Sequence, residues 1–155
     1  MRMLARTAFA VLICLCLAPS SGQAQATTWW SNEEIDDWIT AMEDAMSLAD
    51  WAGDNECADA FQDAAGGLGN AKVGTTPGLT DPDTGDEVNG LWTNWIWPWA
   101  NRIRINPASD DFARTVFHES LHEASYGHDD IYRLAGTPGG GMDGECRFYL
   151  NEPQT

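Results

Sequence analysis

The stretch SDDFARTVFHESLHEASYGH, Ser109 to His128, decides the reading of this chain. Ser109 is placed to cap a helix, and Asp110 and Asp111 put negative charge in its first turn, where the helix dipole favours it. Phe112, Ala113, Val116, Phe117, Leu121 and Ala124 recur at helical spacing and form the expected buried stripe. His118 and His122 then lie one turn apart on one face, with Glu119 beside the first of them. Gly127 is placed to end the helix and swing the chain back, which brings His128 close. All three histidines of the chain fall in this stretch.

His118-Glu119-Ser120-Leu121-His122 has the form H-E-x-x-H. Two imidazoles one turn apart reach a single ion, and zinc suits imidazole nitrogen in a tetrahedral site with one open position. Glu119 projects beside His118, placed to take a proton from water on the metal rather than to bind the metal itself. His128 supplies a third ligand.

Working outward, Arg102 to Asn106 alternates polar and apolar residues and predicts a short half-buried strand, ended by Pro107. The preceding block, Gly69 to Asn101, is rich in Gly, Pro and Asp. In it, Asp81 to Glu87 reads as a solvated turn, although its alternating carboxylates resemble the start of a calcium loop. Trp92, Trp95, Trp97 and Trp99 alternate in a way expected of core packing more than of a ligand platform. Nearer the N-terminus, Ser31 to Glu34 forms a capping box, with Trp30 and Ile35 as its hydrophobic staple. Helical periodicity then runs from about 32 to 52. Asp54 is expected to cap a second helix that turns Cys57, Ala60, Phe61 and Ala64 inward and ends at Gly66-Gly67. Both helices read as scaffold.

With 155 residues, 43% of them hydrophobic, the chain suits one globular domain. Its 8 Lys+Arg against 24 Asp+Glu give a net charge of −16, which repels nucleic acid and anionic membranes. A cationic or neutral substrate is favoured. Arg2 and Arg6, the apolar run Thr7 to Ala18 and the A-x-A site Ala24-Gln25-Ala26 have the form of a signal peptide over 1–26, with the domain at 27–155. A secreted or periplasmic location follows, with no membrane attachment after cleavage. Cys57 and Cys146 remain beyond the signal segment, an even count expected to pair in an oxidising compartment.

The run from His118 to His128 resembles the metzincin branch of the zincin metallopeptidases, whose motif is H-E-x-x-H-x-x-G-x-x-H. The resemblance implies His118, His122 and His128 as zinc ligands and Glu119 as general base. It further implies a methionine turn beneath the metal, for which Met142 is the candidate. Ser125 stands where the motif has glycine, with a glycine two positions later at Gly127, so the turn to His128 is expected to be built differently; Ser125 would need a strained left-handed backbone to take the glycine's place. Gly144 stands where some metzincins have tyrosine. The related aspzincins use an aspartate as third ligand, which leaves Asp129 and Asp130 as rivals to His128; Asp129 is alternatively an acceptor that orients a histidine ring. Of the phenols Tyr126, Tyr132 and Tyr149, Tyr132 is the favoured oxyanion donor. The implied protein is a small α+β zincin-like domain with a short mixed sheet, N-terminal scaffold helices and an active-site helix. It would be a secreted zinc endopeptidase acting on peptide or protein, with Arg102 to Asn106 offering an edge to extended substrate. Two other readings stay open: a secreted structural-zinc module without catalysis, and a zinc amidase acting on cell-wall peptides.

Overall fold

Ser31 and Glu34 cap each other. The Glu34 N–H donates to Ser31 Oγ (3.2 Å) and the Ser31 N–H to Glu34 Oε2 (2.7 Å), which starts helix α1 (Asn32–Ala52). The structure, a computed structural model, describes residues 26–94, 101–137 and 143–151. α1 buries Trp38, Met42, Ala45 and Ala49 and stops at Gly53, whose φ of 80° no β-carbon would favour. Trp30 stacks on Trp38 at 6.0 Å and also meets Phe112.

Helix α2 (Asn55–Asn70) begins where Asp54 accepts the Cys57 N–H, as expected. It does not end at Gly66-Gly67. A β-carbon on Gly67 would sit 2.5 Å from the Ser120 carbonyl oxygen, so this glycine permits close approach of another helix. A pair of glycines reads as a stop from sequence alone; here one of them is a packing surface.

The sheet has four strands in the order β1-β2-β4-β3: β1 (Thr28–Trp29), β2 (Lys72–Thr75), β3 (Gly90–Thr93) and β4 (Arg102–Ile105). β2 and β4 pair parallel and the other neighbours antiparallel, which makes the fold α+β with a small mixed sheet. Ile103 and Ile105 of β4 are fully buried, as the alternation predicts. β4 is nonetheless an inner strand, hydrogen-bonded on both sides. The expectation that Arg102 to Asn106 offers a free edge is therefore corrected: among the described residues β1 and β3 are the outer strands.

Helix α3 (Phe112–Glu123) is capped by Asp111, whose side chain accepts the Arg114 N–H at 3.2 Å. Ser109 is not the cap; its hydroxyl meets Thr115 Oγ1 instead (2.9 Å). The helix starts later than its pattern suggests, and Asp110 and Asp111 precede the first turn. α3 packs between α2 on one side and β3 and β4 on the other. Every residue from Ala113 to Leu121 is buried as a result, not a single stripe. Phe61 of α2 stacks on Phe117 of α3 with ring centroids 4.5 Å apart.

The end of α3 is a Schellman turn: the Tyr126 N–H donates to the Leu121 carbonyl and the Ser125 N–H to the His122 carbonyl. Ser125 takes φ 71°, the left-handed position that glycine fills in the motif it replaces. The strain of that conformation is roughly 1–2 kcal/mol, offset in part by the roughly 0.5–1 kcal/mol of extra chain entropy a glycine loses on folding. Ser125→Gly is therefore expected to stabilise the fold by up to about 1 kcal/mol, read as a higher urea midpoint; a lower midpoint would contradict this account of the turn.

Gly127 does not simply return the chain. It precedes a second short helix, α4 (His128–Ala135), which buries Ile131, Leu134 and Ala135. Beyond it, the Glu145 and Cys146 N–H groups donate to the carbonyls of Arg133 and Leu134, and Cys146 is disulfide-bonded to Cys57. A one-turn 3-10 helix follows at Arg147–Tyr149. Among the described residues, no helix is long and apolar enough to cross a membrane. Residues 1–25, within the stretch read from sequence as a signal peptide, lie outside the described residues together with Trp95, Trp97 and Trp99.

Candidate metal centre

The turn at Ser125 folds α4 back so that its first residue faces the side of α3 that carries both motif histidines. The ring centroids of His118 and His122 are 5.1 Å apart, and those of His122 and His128 4.6 Å. At the usual ~2.0–2.1 Å zinc–nitrogen distance, imidazoles in tetrahedral directions around one ion have centroids roughly 5 Å apart. These two separations are of the size that a shared ion would impose. Their donor atoms do not already enclose one: among the described residues, no three His, Cys, Asp or Glu side chains are gathered to hold a metal. Spacing is fixed by two packed helices, whereas ring direction depends on a broad, soft side-chain torsion. The donor types suit the ion, and its capture would entail turning imidazoles in place.

These side chains form one wall of a cleft of about 520 Å³, with Tyr132 beside them and Asp81, Glu87 and residues 88–92 opposite. Tyr132 sits one turn after His128 on α4, its ring 5.7 Å from His118 and 5.6 Å from His128. The other phenols are engaged elsewhere. Tyr126 donates to Asp63 at 2.8 Å and Tyr149 to Asp54 at 3.3 Å. Asp129 does not line this cleft; it is exposed and borders an adjoining depression with Tyr132, Arg133, Asp143 and Glu145. Met142 lies outside the described residues.

Burial favours the neutral imidazole at His118 and His122, the form that binds metals. Burial, and then the neighbouring His122, push His118 down to about 4. Burial and then His128 bring His122 to about 4 as well. The His118 Nδ1 lies 3.4 Å from the Gly136 carbonyl; with the proton on Nδ1, the Nε2 lone pair is left for an ion. Glu119 is 4% exposed, and burial drives its carboxyl up to about 8 against the opposing hydrogen bond from the Trp92 N–H. Its carboxylate lies against Gly90, where a β-carbon would come within 2.5 Å of Glu119 Oε1.

Three contributors escaped the sequence reading: Gly90, which makes room for Glu119, Trp92, and Glu123. Trp92 is half-buried: it packs against the core, as read, and also lines the cleft. A glycine inside a strand is a sign of close approach by another group, but only the fold says by which one. The loop at Asp81 folds its carboxylate onto its own backbone, where Oδ1 accepts from the Asp83 and Thr84 N–H groups, in keeping with a turn.

These protonation states set a pH dependence for the metal-free protein. Unfolded, His118 and His122 take up protons below about 6.5; folded, they do so only near 4, so stability is lost as pH falls through that interval. Glu119 has the opposite sign, holding in the fold up to about 8 a proton that the unfolded chain releases above 4.5. Below 6.5 the two histidines outweigh the one carboxyl; above it Glu119 acts alone. The thermal midpoint of chelator-stripped protein should peak near pH 6.5. A midpoint that rises steadily from there toward pH 8 would contradict the Glu119 assignment.

Compared with known proteins, the chain matches no family model, no curated protein and no solved structure.

Proposed function

We propose that this chain is a secreted zinc-dependent metallopeptidase, with His118, His122 and His128 as ligands and Glu119 as general base. The observation that carries the reading is that all three imidazoles line one cleft with a buried carboxylate between the metal face and strand β3. A zinc ion held there would supply an acidified water and a Lewis acid for the scissile carbonyl. Glu119 takes the proton of the attacking water and delivers it to the leaving amine; the positive charge of a bound ion would favour the carboxylate form that the first of these transfers requires. Tyr132, the one phenol that lines the cleft, donates a hydrogen bond toward the developing oxyanion.

An extended peptide is received by the outer strand β3, whose residues Gly90, Leu91 and Trp92 line the cleft. The acidic wall at Asp81 and Glu87 favours substrates with neutral or basic side chains. A closed structural-zinc site would draw on a fourth ligand such as Asp129, and that residue lies outside the cleft. Secretion accords with the disulfide and with the signal-like segment at 1–26.

The test is hydrolysis of casein by the protein purified without residues 1–26. The proposal expects cleavage that a chelator abolishes and added zinc restores. Cleavage indifferent to chelator, or none with any divalent metal, would overturn it.

A further inference from the structure

Glu123 directly follows the second motif histidine, and both of its carboxylate oxygens are in use. Trp92 Nε1 donates to Oε2 at 2.7 Å, and Asn101 Nδ2 donates to Oε1 at 2.7 Å. The indole held in this way lies against the His122 ring, with centroids 5.8 Å apart and planes inclined by only 15°. Trp92 is on β3 and Glu123 closes α3, so these contacts tie the ring plane of His122 to the sheet as well as to its own helix.

We infer that Glu123 and Trp92 are positioning residues, which together fix the orientation of the His122 imidazole for metal binding. His122 makes no hydrogen bond to a protein group among the described residues, unlike His118, whose Nδ1 faces the Gly136 carbonyl. A ring nitrogen anchored to a carbonyl or carboxylate is the common way to orient a histidine ligand. At His122 a stacked aromatic plane does this instead, restricting the soft ring torsion through contact area. The acid is required for a chemical reason. Both groups that meet Glu123 are N–H donors, so the residue between them must accept twice. Gln accepts at one atom only and would turn its own amide donors toward a second donor.

This inference rests on the zinc reading for its purpose but not for its geometry, and two measurements separate them. The first follows the His122 ring protons by NMR in chelator-treated protein, where the ring current of the indole should displace their shifts from those of a free imidazole. Trp92→Leu is expected to abolish that displacement and Trp92→Phe to retain much of it, while Glu123→Gln reduces it by loosening the indole. The second is zinc affinity by competition with a chromophoric chelator. Loss of the stack should weaken binding roughly 10- to 100-fold, the usual range for a group that orients a ligand, with Trp92→Phe closest to wild type. His122 ring shifts unchanged in Trp92→Leu would overturn the inference, as would equal zinc affinity across wild type, Trp92→Leu and Glu123→Gln. A stacked His122 in a wild-type protein that takes up no zinc would overturn the metallopeptidase proposal instead, and with it the purpose given to the stack.

Discussion

Glu119→Gln is expected to lower casein hydrolysis by roughly 10³-fold, within the usual range for loss of a general base, while zinc stays bound. The side chain is almost the same size, so it keeps its place against Gly90, where there is no spare room for rearrangement. It also keeps an oxygen to accept the Trp92 N–H. What it loses is the capacity to take a proton from water. The ligands are untouched, so metal content and activity should separate in this variant. Full activity in Glu119→Gln would remove the base assignment. Loss of zinc together with activity would place Glu119 in the metal site rather than beside it.

The second large effect is structural. Replacing both Cys57 and Cys146 with alanine is expected to cost about 4–5 kcal/mol, from the closure entropy of a loop this long in the chain-entropy model. The bond spans 89 residues of sequence and both cysteines are buried, at 2% and 0% exposure. Domains of this class have roughly 5–15 kcal/mol in total, so the variant should be close to unfolding at 37 °C. The effect should reach the proposed metal centre. Residues 145 and 146 hydrogen-bond to the last carbonyls of α4, so the disulfide fastens that helix, and with it His128 and Tyr132, to α2. A urea midpoint that falls sharply and a weaker zinc affinity are both expected. A midpoint unchanged from wild type would show that packing alone holds the C-terminal segment.

The comparison of sequence with structure separates two kinds of information. Local signals were legible: the Ser31–Glu34 capping box, the Asp54 cap, the alternation of β4 and the even pair of cysteines all stand as read. At Ser125 a turn built differently from the motif was expected, whereas the serine itself takes the left-handed backbone. Readings failed where a residue's meaning depended on a distant neighbour. Gly67 reads as a helix stop until Ser120 is placed against it. Arg102 to Asn106 reads as an available strand until β2 and β3 occupy both of its edges.

The candidate site divides in the same way. His118, Glu119 and His122 follow from helical geometry, and His128 from the turn that brings it back. Gly90, Trp92 and Glu123 were invisible because their roles depend on β3 lying against α3, a contact between segments with no shared periodicity. α4 was missed because its N-terminal Gly127 caps without a side chain and so resembles a helix end.

The central claim is that His118, His122 and His128 hold one zinc ion, and metal content tests it most directly. The purified protein lacking residues 1–26 would be loaded with zinc, freed of excess and analysed for bound metal beside His122→Ala and His128→Ala, with circular dichroism as a check on folding. The account predicts equimolar zinc in wild type and loss of it in both folded variants. Wild-type protein that retains no zinc, or His128→Ala that retains it in full, would contradict the account.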